Sequence, residues 1–575
     1  MAALGAVAAP GAAHADTPVT IEGPDRETRE AILDLLPDRE QPASLFEAER
    51  IAEEAAARAR AWLRSEGYYA AEVRAETQED PVRAHLVISL GSRFRFAAPE
   101  IVFVGEPPSD NAAAAARYAL SPIEAGAAAR SADVLLAEGG ALTALQNAGY
   151  ADASAGERRV VVDHATGQVT AHFTFTAGAL TRLGDLRAEP NDVLRPGFVE
   201  DIRGWTPGDS YTPQRLAELR RNLIATGVVS RATTRLAEPK ADGSRDVILD
   251  IEPAKRNAYE VGLGYSTTEG IGVDAEWTRR NFTRRADSLT LSSSLGELRQ
   301  SLAAEWARPH AAGIGHTQRL NASVSREDTD AYIRQGVAIG ASVDADTRLS
   351  LGVSYGAQLS ADWYDEAGGV RDAIVLTTFG EVRKDTRDSR FDPHDGSYVA
   401  LRLEPSVSTG DASLVFARTT AEGRIYESVL REDRLTLAAR ARVGWLEALE
   451  GDPDDAPPDR RFYAGGGGSV RGYEYNSIYP EERDALDLTP GGQGLVETSV
   501  EARWRFGDRF GAVAFLDGGA AFDDWGEATD LRWGAGIGAR YNLGFAPLRV
   551  DLAAPLDPRD SDPDYALYIS IGQAF

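Results

Sequence analysis

The stretch Leu531-Arg532-Trp533-Gly534-Ala535-Gly536-Ile537-Gly538-Ala539-Arg540-Tyr541-Asn542 alternates between two kinds of residue. Leu531, Trp533, Ala535, Ile537, Ala539 and Tyr541 are apolar, whereas the residues between them are charged, polar or glycine. A period of two is the geometry of a strand whose two faces meet different surroundings. Leu349, Leu351, Val353, Tyr355, Ala357 and Leu359 repeat the pattern against Ser350, Gly352, Ser354, Gly356, Gln358 and Ser360. So do Leu435, Leu437, Ala439, Ala441 and Val443 against Thr436, Ala438, Arg440 and Arg442.

A soluble sandwich also alternates. Three features favour a lipid-facing barrel around a polar interior. Arg440, Arg442 and Arg540 sit mid-strand, where a water-filled lumen tolerates them. Seven of the nine Trp and 14 of the 19 Tyr lie beyond residue 254, as aromatic girdles require. The last 321 residues also divide into about 16 strands with connections, each strand long enough to cross a bilayer.

Composition narrows the alternatives. The chain of 575 residues has 89 acidic and 61 basic side chains, a net charge of −28 and no cysteine. That excludes disulfide frameworks and thiolate metal sites, and argues against nucleic acid as a partner. Mean hydropathy is −0.30, and no apolar run is long enough for a transmembrane helix. Residues 1–15 are small and apolar and end Ala13-His14-Ala15, the form of a secretory signal remnant, although a basic start is missing.

Before the alternating region, one small unit recurs three times, over 16–91, 92–177 and 178–254. Each opens on a short strand: Val19–Ile21, Ile101–Val104 and Leu183–Leu186. Each has a longer second helix: one capped by Ser44 with Glu47 three residues on, one opening at Ser131 as cap, one at Thr212-Pro213. Leu216, Leu219 and Leu223 mark the buried face of the third. Each such helix stops at a glycine, Gly67, Gly149 or Gly227, and strands follow, closing on His85–Ile88, Thr170–Thr176 and Val247–Ile251. The order is β-α-α-β-β. The expected fold is therefore α+β repeats followed by an all-β, roughly 16-stranded antiparallel barrel over 255–575.

Phe462-Tyr463-Ala464-Gly465-Gly466-Gly467-Gly468-Ser469-Val470-Arg471-Gly472-Tyr473 fits neither phosphate-binding glycine pattern and no nucleophile elbow. Seven histidines form no metal-ligand spacing, and Asp452–Asp455 lacks the Gly and Glu of a calcium loop, so it reads as a solvated extracellular loop. No enzyme activity and no cofactor are expected.

The Val470-Arg471-Gly472-Tyr473 motif resembles the loop that marks the BamA/TamA/two-partner-secretion superfamily of outer-membrane barrels. Asp385-Thr386-Arg387-Asp388 with Asp392-Pro393 and Gly396 resembles that family too, as do Phe515-Leu516-Asp517-Gly518-Gly519 and a last strand Tyr565–Phe575 ending on Phe, where Gln573 departs from the usual apolar residue. The repeats resemble POTRA domains. The resemblance implies that the loop folds into the lumen and that Arg471 meets Asp517, with Glu501 in reserve. It also implies a seam between a first strand holding Tyr259, Val261, Gly262, Leu263 and Gly264 and a last strand holding Ile569, Ile571, Gly572 and Phe575. Three repeats are most similar to the TamA type, which implies periplasmic POTRA domains, a TamB-like inner-membrane-anchored partner, unfolded outer-membrane clients such as autotransporters, and contact with outer-membrane lipids. A two-partner-secretion pore exporting a dedicated partner, or a general BamA-like insertase, is the alternative.

The barrel reading has a direct check. The protein should fractionate with outer membranes and migrate faster on gels when unboiled; recovery in a soluble fraction without heat modifiability would contradict it.

Overall fold

A computed structural model of the chain describes residues 18–329, 331–347, 351–366, 369–430, 434–481, 483, 489–544, 546–560 and 562–575. The signal-like residues 1–15 and the alternating positions Leu349 and Ser350 lie outside the described residues.

The first module runs β1 (Val19–Glu22), α1 (Arg26–Asp34), α2 (Leu45–Ser65), β2 (Glu72–Glu79) and β3 (Val82–Ser89). Its sheet is ordered β1-β3-β2, with β1 parallel to β3. Ser44 Oγ accepts from the Glu47 N–H at 3.3 Å, and Glu47 accepts from the Ala43 N–H, closing the start of α2. Ala48, Ala52, Ala55, Ala56 and Ala59 form a small-residue face on α2, which lets it lie close over Leu86 and Ile88. Gly67 ends that helix at φ 94°, a conformation that costs glycine least.

The second module holds β4 (Arg95–Phe96), β5 (Glu100–Phe103), α3 (Asp110–Tyr118), α4 (Ser131–Asn147), β6 (Ser154–Ala155), β7 (Arg159–Asp163) and β8 (Gln168–Thr176). Here Ser131 is the first helical residue and Arg130 occupies the cap position without a side-chain bond, so the expected serine cap is not made. The strand β8 is central, and Phe173 and Phe175 on it pack with Leu145 of α4. The third module comprises β9 (Arg182–Glu189), α5 (Pro196–Asp201), α6 (Pro213–Ala225), β10 (Val229–Leu236) and β11 (Ser244–Pro253), ordered β10-β11-β9. Thr212 Oγ1 accepts from the Arg215 N–H at 3.4 Å at the start of α6.

Sixteen antiparallel strands then close into a barrel. The first eight are β12 (Asn257–Ser266), β13 (Gly270–Arg280), β14 (Ser288–Gly296), β15 (Arg299–Pro309), β16 (His316–Asp328), β17 (Ile333–Asp346), β18 (Gly352–Glu366) and β19 (Gly369–Asp385). The second eight are β20 (Gly396–Gly410), β21 (Leu414–Ser428), β22 (Leu435–Glu450), β23 (Gly494–Phe506), β24 (Phe510–Phe522), β25 (Arg532–Asn542), β26 (Pro547–Pro555) and β27 (Ala566–Ile571). The outward faces carry exposed apolar residues such as Leu359, Leu401, Ile425, Leu437 and Ile537. Inward faces carry Arg319, Arg440 and Arg540, paired with Glu305, Glu422 and Asp551 respectively. A sandwich core would not accept such rows of charge.

By internal packing the chain forms two compact units, one of which joins the barrel with residues 186–204 and 219–235. The modules bury their own cores, and Leu86 is fully enclosed. Leu86→Ala should lower stability of the first module by about 2–5 kcal/mol. Chemical denaturation followed by circular dichroism would register it, while the unboiled-gel mobility of the barrel should stay unchanged; joint loss of both would contradict independent cores.

Candidate functional site: a buried arginine in the barrel lumen

The chain between β22 and β23 turns back into the barrel. Phe462 pairs with Gly492, and Ala464 pairs with Ile478, so the segment is braced as a hairpin before it reaches Arg471. Val470 and Tyr473 are fully buried with Phe462 and Ile478. Gly472 has φ 104°, and a Cβ there would lie 2.8 Å from the Ala554 carbonyl carbon. On the opposing wall, a Cβ on Gly534 would lie 2.0 Å from the Arg471 carbonyl oxygen. Loop and wall glycines together make the close approach possible.

Arg471 is 1% exposed. Its Nε and Nη2 donate to the two Asp517 oxygens at 2.7 and 2.9 Å, the bidentate fork that fits a guanidinium to a carboxylate. The Arg471 backbone N–H adds a third bond to Asp517 at 3.2 Å. Glu501 Oε1 lies 2.8 Å from Nη2, and Asp551 Oδ2 accepts from Nη1 at 3.1 Å. Phe515 lies beneath the guanidinium, with its ring centre 3.4 Å from Cζ. That stack answers a difficulty in the sequence. Alternation places Phe515 on the same inward face as Asp517, and the aromatic ring is used against the loop rather than lipid.

The carboxylates have partners of their own. Ser499 Oγ donates to Asp517 at 2.5 Å, Arg503 Nε donates to Glu501 at 2.8 Å, and Arg540 donates to Asp551. Glu501, Asp517 and Asp551 are each 0% exposed. Buried charges at this density are tolerable only because each is hydrogen-bonded to its opposite.

Sequence reading named Asp517 and Glu501 but missed Asp551. The signal was present: in β26, Leu548, Val550 and Leu552 alternate with Arg549 and Asp551, so the charges face inward. Two hydrogen bonds to the strand edges were not readable from the sequence. Glu269, in the turn between β12 and β13, accepts from the Gly467 N–H at 2.8 Å. Tyr568, in β27, accepts through its hydroxyl from the Gly472 N–H at 3.1 Å. One loop thus bonds to the β12–β13 turn and to β27, on the two sides of the seam.

The seam itself is short. β12 pairs with β13 over ten residue pairs but with β27 over only two, Tyr265 with Ile569 and Ser266 with Tyr568. Tyr259, Val261, Gly262, Leu263 and Gly264 therefore lie along the part of that β12 edge that has no partner strand among the described residues. Tyr259 and Val261 are 74% and 71% exposed on its outward face.

The expected seam running to Phe575 is corrected by the structure. Strand β27 ends at Ile571, which pairs with Leu548 of β26, and Gly572 at φ 97° turns the chain inward. Phe575 packs against Tyr426 and Ala438 inside the barrel. Gln573 accepts from Arg540 Nε at 2.8 Å and donates to Asp392 at 2.9 Å. An apolar residue at 573 would leave both groups short of a partner, which accounts for the departure from the family pattern.

The Asp385–Gly396 motif builds the turn that receives this tail. Asp388 Oδ1 accepts from the backbone N–H groups of Ser389, His394 and Asp395, and a Cβ on Gly396 would lie 2.3 Å from the Thr386 carbonyl oxygen. Asp454, in the loop expected to be solvated, is 39% exposed and also accepts from Arg461 and Arg483 at 3.3 and 2.7 Å. Burial pushes its carboxyl up, but Arg483 and Arg461 outweigh that and hold it below the usual carboxylate range.

A model described as the Omp85 superfamily domain matches residues 281–575. The chain belongs to the Omp85 superfamily. It is an outer-membrane barrel protein. The outer membrane protein assembly factor BamA of Nitratidesulfovibrio vulgaris (strain Hildenborough) is 24% identical over 410 residues, 68% of this chain and 50% of that protein. The chain thus spans about half the length of the curated relative it matches. The crystal structure of BamA from Haemophilus ducreyi lacking POTRA domains 1–3 is similar with a TM-score of 0.69, at 16% identity over 83% of this chain and 100% of that one. CdiB from Acinetobacter baumannii gives 0.48 at 15% identity, over 83% of this chain and 89% of its own.

Arg471→Ala removes the cation shared by three buried carboxylates and should cost about 3–5 kcal/mol. The temperature at which heat modifiability is lost should fall. Arg471→Lys should recover only part of it, because an ammonium cannot form the bidentate fork. Asp551→Asn should lower that temperature as well, and an unchanged value in both Arg471→Ala and Asp551→Asn would contradict a structural role for the cluster.

Proposed function

We propose that this protein assembles β-barrel clients into the outer membrane, with its three α+β modules acting as periplasmic POTRA domains. The observation that carries the reading is the two-pair closure of the barrel against ten pairs on the other side of β12. In a bilayer, an unpaired backbone N–H or C=O costs several kcal/mol, so a bare strand edge strongly favours any strand that can complete it. An incoming client strand pairs through its backbone without any demand on its sequence, and its side chains alternate between lipid and lumen. The exposed edge of β1 offers the same chemistry to an extended client before it reaches the membrane.

The presence of three such modules supports a TamA-type reading within the superfamily. On that reading, its partner is a TamB-like protein anchored in the inner membrane, its clients include autotransporters, and the surrounding lipids take part at the seam. Arg471 and its carboxylates serve as the rigid wall against which the seam opens. No chemical catalysis is involved.

The chain has no cysteine, so a paired substitution tests the seam cleanly. Tyr265→Cys with Ile569→Cys joins directly opposed residues. Oxidation should stop autotransporter assembly in reconstituted membranes, and reduction should restore it. Undiminished assembly with the bridge formed would overturn the reading. Co-purification of the wild-type protein with a TamB-like partner would support the finer assignment, and its loss on deleting the modules would locate the contact. Export of one dedicated soluble protein through the oxidised barrel would instead mark a secretion pore.

A further inference from the structure

The lumen cluster contains one cation that its neighbours do not satisfy. Arg471, Arg503 and Arg540 each donate to a carboxylate within hydrogen-bond reach. Arg549, on the same inward face of β26, does not. Its closest carboxylate is Asp551, at 3.6 Å, and that group is already taken by Arg471 and Arg540. Arg549 is 8% exposed, and among the described residues its Nε has no hydrogen-bond partner. A guanidinium buried to that degree without an anion of its own is costly, so the site favours one from outside.

Such an anion has a place to sit. Arg549 lines a cavity of about 400 Å³ on the inner side of the seam, together with Gly264, Gly272, Ser294, Gly468 and Ser570. Glycine and serine backbone forms one part of the lining, Tyr265, Leu298, Tyr475 and Ile569 another, and the cavity also holds Glu269, whose carboxylate is engaged by the Gly467 N–H, and Arg299, a second cation. Register fixes the height. Arg549 pairs with Ser570, one residue beyond the last β12–β27 pair, so it lies level with Gly264, where the bare edge of β12 begins. A strand laid along that edge brings its first inward-facing side chain to this level.

We propose that Arg549 is a carboxylate-binding subsite that takes an acidic side chain from the inward face of an extended polypeptide paired to β12. The proposal rests on the seam being the client-binding edge. It adds a preference among clients: an Asp or Glu where the strand enters the cavity. Peptide carboxylates and lipid phosphates share the chemistry of an oxyanion, but the position of Arg549 level with the start of the bare β12 edge favours the polypeptide.

The test uses the full-length protein in detergent and two labelled nonapeptides. Both are acetylated and amidated, alternate Val and Thr, and differ only in carrying Glu or Gln at the second residue. Fluorescence anisotropy should show the Glu peptide binding about tenfold more tightly, with the advantage shrinking as salt rises. In Arg549→Gln the preference should vanish while the Gln peptide binds as before, and Arg549→Lys should keep part of it. Arg319→Gln, on β16, should keep all of it. Equal binding of both peptides to the wild type overturns the subsite alone, as does a preference that survives in Arg549→Gln. Binding of neither peptide overturns the bare-edge reading and this inference with it. Absence of a Glu preference, with dihexanoyl phosphatidylglycerol binding that is lost in Arg549→Gln, would assign the site to lipid phosphate and overturn the proposal.

Discussion

A guanidinium withdrawn from water must be met by oxygen on every side, and the barrel is organised around one such group. Arg471 arrives on a loop, whereas Asp517, Glu501 and Asp551 come from β24, β23 and β26. The cluster therefore ties a long inter-strand connection to three wall strands. Its net contribution to stability is modest, since desolvation offsets much of the Coulombic gain. Its contribution to geometry is larger, because the bidentate fork and the Phe515 ring leave the guanidinium one orientation. The glycines of loop and wall follow from the same requirement, as no side chain fits between Arg471 and Gly534.

From that fixed point the two edges of the barrel are reached by single hydrogen bonds. Gly467 contacts Glu269 beside β12, and Gly472 contacts Tyr568 on β27. The loop thus bonds to both sides of a seam whose strands share only two residue pairs and the hydrogen bonds between Thr267 and Leu567. A firm interior stands beside a weak closure. The inward turn at Gly572 keeps that closure short, for it removes the residues that would otherwise extend the pairing.

Much of this was legible in the chain. Strict alternation in β22 and β25 required strands with one polar and one apolar face, and mid-strand arginines required a lumen on the polar side. The helix–glycine–strand recurrence gave the three modules, because Gly67, Gly149 and Gly227 all adopt the positive φ that a helix end asks of glycine. Alternation also put Asp517 and Phe515 on one face, which is a purely local consequence of the pleat.

What only the tertiary structure decided was which inward charges meet, how far the closing strands pair, and where the chain turns away from the sheet. Alternation assigns a face but not a height, so it could not bring Asp551 to Arg471 or leave Arg549 short of a partner. Those depend on the stagger of strands around a closed barrel, a property of the whole sheet. The fate of Gln573 and Phe575 is of the same kind. Their sequence reads as the end of a strand, but the polar groups waiting inside, Arg540 and Asp392, draw the tail from the wall. The sequence by itself determined the faces; closure of the barrel determined the partners.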